Sequence, residues 1–92
     1  MICLHDRIVQ ELVEEKSLAA LIYLICHGRE LELEFGGKLY FISRDRSERY
    51  VSLWDGHNEQ SFDSVDALIE NAKLEDKTFL SAWKLAKIQT LF

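Results

Sequence analysis

Glu30, Glu32 and Glu34 place a carboxylate at every second residue over 30–34. Alternation at period two puts all three on one side of an extended segment. Catalysis by a carboxylate pair needs environments that push the two pKa values apart. Alternate residues on an open strand face lack the burial that does this. The row therefore reads either as the solvated face of a half-buried strand or as an acidic stripe that meets a basic partner.

The remaining reactive types are scattered. His5, His27 and His57 fall on three separate elements, and no CxxC or HxxxH spacing is present, so no metal site is expected. Cys26 and His27 are neighbours, and on a helix their side chains diverge by about 100°, too far to form a nucleophile–base pair with each other. Cys26 sits in an apolar run and is expected to be a buried, reduced thiol. GxSxG, Walker A and GxGxxG patterns are absent, and Gly36-Gly37 lies between two strands, where it makes a hairpin turn and not a phosphate cradle. No catalytic residue and no cofactor is assigned.

The elements follow from periodicity. Leu4, Ile8, Val9, Leu12 and Val13 have helical spacing, predicting an amphipathic helix over 3–15. Ser17 is a candidate N-cap for a second helix over 18–27, with Gly28 suited to the C′ position. An unbroken helix over 4–27 is the alternative. Arg29 to Phe35 alternates strictly, Gly36-Gly37 turns the chain, and 38–43 returns. This turn pairs Phe35 with Lys38, Leu33 with Tyr40 and Leu31 with Ile42 on one face, called inner here.

A charged connection over 44–49 carries Arg44, Arg46 and Arg49 interleaved with Asp45 and Glu48, a pattern that resists edge aggregation. A third strand over 50–55 then pairs Ile42 with Val51, Tyr40 with Leu53 and Leu39 with Trp54. A fourth short strand over 59–62 places Phe62 opposite Val51. Asp63 or Ser64 caps a helix through Leu74, with Asp66 completing a capping-box pattern to Asp63. A last helix over about 78–88 buries Phe79, Ala82, Trp83 and Ala86. Residues 89–92 fit a helix end, an edge strand or a tail.

The expected architecture is α+β: a four-stranded antiparallel meander with N-terminal and C-terminal helices packed mainly on one face. The chain of 92 residues suits one domain. Leu21, Ile25, Leu68, Ile69 and Trp83 are expected among the most buried residues. The outer face would then gather Leu39, Phe41, Tyr50 and Trp54 beside Glu30, Glu32 and Glu34. Four large apolar or aromatic side chains are too many for a routine solvent face, so a helix or a second molecule must cover them.

Composition agrees with a globular chain: 48% hydrophobic, 29% charged, no proline and four glycines. A net charge of -5 disfavours a nucleic-acid binder that relies on attraction to phosphate. Cys3 and Cys26 are too few for a disulfide scaffold. No basic stretch precedes an apolar one at the start, and the run from Leu18 to Cys26 is too short to span a bilayer. A cytoplasmic protein with both thiols reduced is expected, with no membrane partner.

The stretch 28–35, GRELELEF, followed by Gly37-Lys38-Leu39-Tyr40, resembles a hairpin of short bacterial or phage-type proteins. Phe62-Asp63-Ser64 leading to Leu68, and Lys77-Thr78-Phe79-Leu80 with Trp83, extend the resemblance over about 20–88. It implies a bacterial or phage-borne accessory protein and no particular mechanism. In that pattern a glycine precedes the Lys-Thr pair, where this chain has Asp76. Together these features lead to the expectation of a non-enzymatic protein that binds a protein partner, or a second copy of itself, through its aromatic sheet face. An acidic inhibitor that mimics nucleic acid, and a small enzyme using Cys26 or a carboxylate in a helix–sheet cleft, are the alternatives.

Overall fold

The computed structural model describes residues 4–45 and 50–92. Cys3, Arg46 and Arg49 lie outside the described residues, and with them most of the expected charged connection and the state of one thiol. The order is α1 (Leu4–Glu15), α2 (Leu18–Cys26), β1 (Leu31–Phe35), β2 (Lys38–Asp45), β3 (Tyr50–Trp54), β4 (Glu59–Phe62), α3 (Val65–Asn71), β5 (Lys73–Leu74), β6 (Lys77–Thr78), α4 (Phe79–Trp83) and β7 (Lys87–Leu91). The fold is α+β with an antiparallel main sheet ordered β4-β3-β2-β1-β7. No helix among the described residues is long and apolar enough to cross a membrane.

Two helices, not one, open the chain. Lys16 has φ 52°, a left-handed backbone that ends α1, while its N–H still reaches the Leu12 carbonyl at 2.9 Å. Ser17 restarts the helix by accepting the Ala20 N–H at 3.1 Å. The Lys16 ammonium then donates to the carbonyls of Trp83 and Ala86, where α4 ends. Trp83 Nε1 donates back to the Lys16 carbonyl at 2.8 Å. Burial pushes the Lys16 pKa below its ordinary 10.5.

The hairpin register holds as expected, with Leu31↔Ile42, Leu33↔Tyr40 and Phe35↔Lys38. At the turn Gly36 has φ 63°, a left-handed backbone that favours glycine, while a Cβ there would meet only the movable end of the exposed Glu75 side chain, at 2.8 Å. The next pairing is shifted by two residues from the expected one: Ile42 faces Leu53, Arg44 faces Val51 and Phe41 faces Trp54. β2 runs on through Asp45, which shortens the connection by two residues. An even shift preserves the faces, so the inner set survives. Leu31, Leu33, Phe35, Tyr40, Ile42, Val51 and Leu53 are all buried and join Leu12, Leu21, Leu24, Ile25, Leu68, Phe79 and Trp83 in one core.

Five further expectations are corrected. The sheet has five strands, because 87–91 pairs with β1 instead of extending a helix. The last helix stops at Trp83, although its stripe of Phe79, Ala82, Trp83 and Ala86 is buried as expected. The helix from Ser64 stops at Asn71, since Ala72 turns extended and 73–78 forms the small β5–β6 hairpin. Its cap is the Ser64 hydroxyl, which accepts the Ala67 N–H at 3.1 Å, so Asp63 and Asp66 form no capping box. Ile69 is only partly buried, at the margin of the core. The β5–β6 turn uses left-handed backbone at Glu75 and Asp76, with φ 49° and 70°; a glycine at Asp76 would suit this conformation.

Leu68 is 1% exposed and sits between α3 and the inner face. Replacing it with alanine is expected to cost about 2–5 kcal/mol through lost burial and a residual cavity. Denaturant melts of wild type and variant check this, and a difference under about half a kcal/mol would remove Leu68 from the core.

Candidate outer-face binding surface

The outer face is built row by row across the strands. One row reads Thr90, Glu32, Phe41, Trp54 and Glu59 from β7 to β4. An aromatic pair at its centre is thus bracketed by a carboxylate on each side. The row beside it, toward the turn, holds Glu34 opposite Leu39. The row on the other side is Ser43, Ser52 and Ser61, and beyond it Tyr50 stands opposite Asp45.

Exposure separates these residues. Leu39 is 52% and Trp54 41% exposed, while Phe41, Tyr50, Glu30, Glu32 and Glu34 are half-buried. Phe92 adds to the face: its N–H donates to the Glu30 carbonyl at 2.8 Å, and its ring meets Phe41 edge-on at 5.6 Å. It remains 58% exposed. The structure therefore brings together all seven residues singled out from the sequence, but pairs Trp54 with Phe41 where Leu39 was expected.

The serine row makes a depression. Small side chains between the aromatic rows leave a shallow hollow of about 420 Å³. Ser43, the buried Ser52, Phe41, Tyr50, Glu30, Glu59 and Arg44 line it. Ser52 is buried, and its hydroxyl donates to Glu59 Oε1 at 2.6 Å; Ser61 donates to the same oxygen at 3.2 Å. These hydroxyls fix the Glu59 carboxylate beside the hollow. Ser43, Ser52, Glu59 and Phe92 were missed from sequence. The shifted register hides the serine row, since it would set Ser43 against Tyr50.

Electrostatics leave the face acidic. Among the described residues Lys38–Asp55, at 3.6 Å, is the one ion pair, and it lies at the turn end of the sheet. Asp55 also accepts the N–H groups of Asn58 at 2.7 Å and His57 at 2.8 Å, and these bonds with Lys38 hold its carboxyl below the ordinary range. Glu34 accepts from the Gln89 amide at 3.2 Å. Arg44 turns one guanidinium nitrogen to the Cys26 carbonyl, at 2.7 Å.

Cys26 is exposed, contrary to the expectation of a core thiol, because the helix points Leu24 and Ile25 inward and ends there. It borders a cleft of about 110 Å³ with Arg44, Val51, Asp63, Ser64 and Val65, none of them an imidazole. The histidines stay apart. His5 contacts Arg29, His27 stacks on Tyr23 at 4.0 Å, and His57 lies in the Asp55 turn. No group of three or more metal-ligating side chains occurs among the described residues. Comparison of the chain with protein-family models, with curated proteins and with solved structures finds no match, so the outer face stands on its own geometry.

Proposed function

We propose that this chain is a small cytoplasmic, non-enzymatic binding protein that docks another polypeptide, a partner or a second copy, on the outer face of its sheet. In this reading the helices gather mainly on the inner face and leave the outer one for the partner. The observation that carries it is the exposure of Leu39, Trp54 and Phe92 on one face around the half-buried Phe41. A patch of that kind removes on the order of 300 Å² of apolar area from water, roughly 7 kcal/mol, against association costs of comparable size. Apolar contact alone therefore supports weak association, and the neighbouring carboxylates supply selectivity.

Replacing Phe41 and Trp54 together with serine tests the reading. The variant is expected to keep its far-ultraviolet circular dichroism and its cooperative melt while losing self-association in sedimentation, or losing a partner captured by wild type from the native host. A variant that unfolds would make the face internal core and end the proposal. So would a folded variant whose association matches wild type.

A further inference from the structure

We infer that the outer face takes a basic polypeptide segment, with a lysine or arginine side chain seated in the serine-lined hollow between Glu30 and Glu59. This deepens the proposed function and rests on it. Three features of the hollow converge on a cationic side chain. Two carboxylates line it, and Glu59 is already oriented by Ser52 and Ser61. Phe41, with Tyr50 lining the hollow beside it, offers aromatic surface on which an ammonium or guanidinium group is held by the ring quadrupole. Ser43 supplies a hydroxyl. Among the described lining residues Arg44 is the cation; it donates to the Cys26 carbonyl, and its single positive charge beside Glu30 and Glu59 leaves the balance of the three negative.

The wider face agrees. Glu32 lies beside Phe41, and Glu59 lies beside Trp54, in one cross-strand row. Strands stand about 4.8 Å apart, so the two carboxylate posts are on the order of 14 Å from each other with the aromatic pair between them. A segment carrying cationic residues on either side of an apolar one fits that spacing. A second copy fits poorly. Face-to-face symmetric pairing would bring Glu30, Glu32, Glu34 and Glu59 of both chains into one interface, and accumulated like charge there is costly.

The probe is a synthetic peptide alternating arginine and leucine, titrated calorimetrically at low and high salt into wild type, E30Q/E59Q and E14Q/E15Q. The last pair removes equal charge from α1. Wild type should bind, with affinity falling as salt rises. E30Q/E59Q should bind at least about tenfold more weakly, while E14Q/E15Q stays within about twofold of wild type. Circular dichroism confirms that each variant is folded; glutamine at 59 still accepts from Ser52. Equal weakening by both pairs would reduce the attraction to overall negative charge and overturn the inference. Failure of wild type to bind overturns it too. If the Phe41, Trp54 double variant still loses a polypeptide that wild type captures from the native host, the docking face survives and only its basic partner falls; if it does not, both fall.

Discussion

Replacing Trp83 with alanine is expected to cost about 3–5 kcal/mol, the larger part of what a domain of this size has to spend. Trp83 is 5% exposed and stacks on Phe79 with centroids 5.8 Å apart. Its indole N–H also satisfies the carbonyl of Lys16, and the Lys16 ammonium lies 5.2 Å from its ring centroid. The Lys16 ammonium meanwhile caps α4 through the carbonyls of Trp83 and Ala86. The α1–α2 break and the end of α4 therefore hold each other, although 67 residues separate them. Truncating Trp83 removes the packing and leaves the Lys16 carbonyl without its donor. A Lys16→Met variant isolates the other half of the contact. It keeps the apolar stem and removes the ammonium, so a cost of about 1–3 kcal/mol is expected. Because the two changes share one network, the double variant should cost less than the sum. Urea melts of the four proteins form the cycle. Additive costs would mean that α4 and the helix break are energetically independent.

The Lys16–Trp83 contact was invisible in the sequence, and the reason is general to this chain. Period-two alternation over 30–42 and the Gly36-Gly37 turn determine β1, β2 and their pairing from local information alone. The stripe of Phe79, Ala82, Trp83 and Ala86 likewise identifies its buried face. What local pattern cannot supply is length. A strand that continues through Arg44 and Asp45 looks like a charged connection, because two successive charged residues carry none of the apolar alternation that marks a strand. Reading it as loop moved the β2–β3 register by two, which kept Leu39, Phe41, Tyr50 and Trp54 on the right face but hid the row of Ser43, Ser52 and Ser61. The candidate face was legible; the hollow within it was not. Lys16 shows the same limit, since left-handed backbone at a lysine leaves no compositional trace, unlike that at Gly28.

A chain shortened to end at Ala86 is expected to lose cooperative folding or to aggregate, because β7 closes the sheet beside β1. Ile88 and Leu91 pack against the core, and burial of two such side chains, each only in part, contributes about 2–4 kcal/mol. Without β7 the backbone groups of β1 that pair with it are left open along an edge. The sequence leaves 89–92 open between helix end, edge strand and tail for a structural reason. Ile88 and Leu91 are three residues apart, a helical spacing, and in a regular strand they would face opposite sides. The register skips Gln89: Leu33 faces Ile88, but Glu32 faces Thr90. This bulge turns both apolar residues inward. Its signature in mutagenesis is specific. Ile88→Asp and Leu91→Asp should each cost roughly 2–4 kcal/mol, from lost burial and the desolvation of a carboxylate. Gln89→Ser, at the bulge, should stay within about half a kcal/mol of wild type. Retained helix content in circular dichroism would show that no terminal helix was lost with the apolar pair. If Leu91→Asp were as mild as Gln89→Ser, the strand would be regular and the bulge wrong. If the shortened chain melted like wild type, β7 would be a passive edge and β1 would be stable without it.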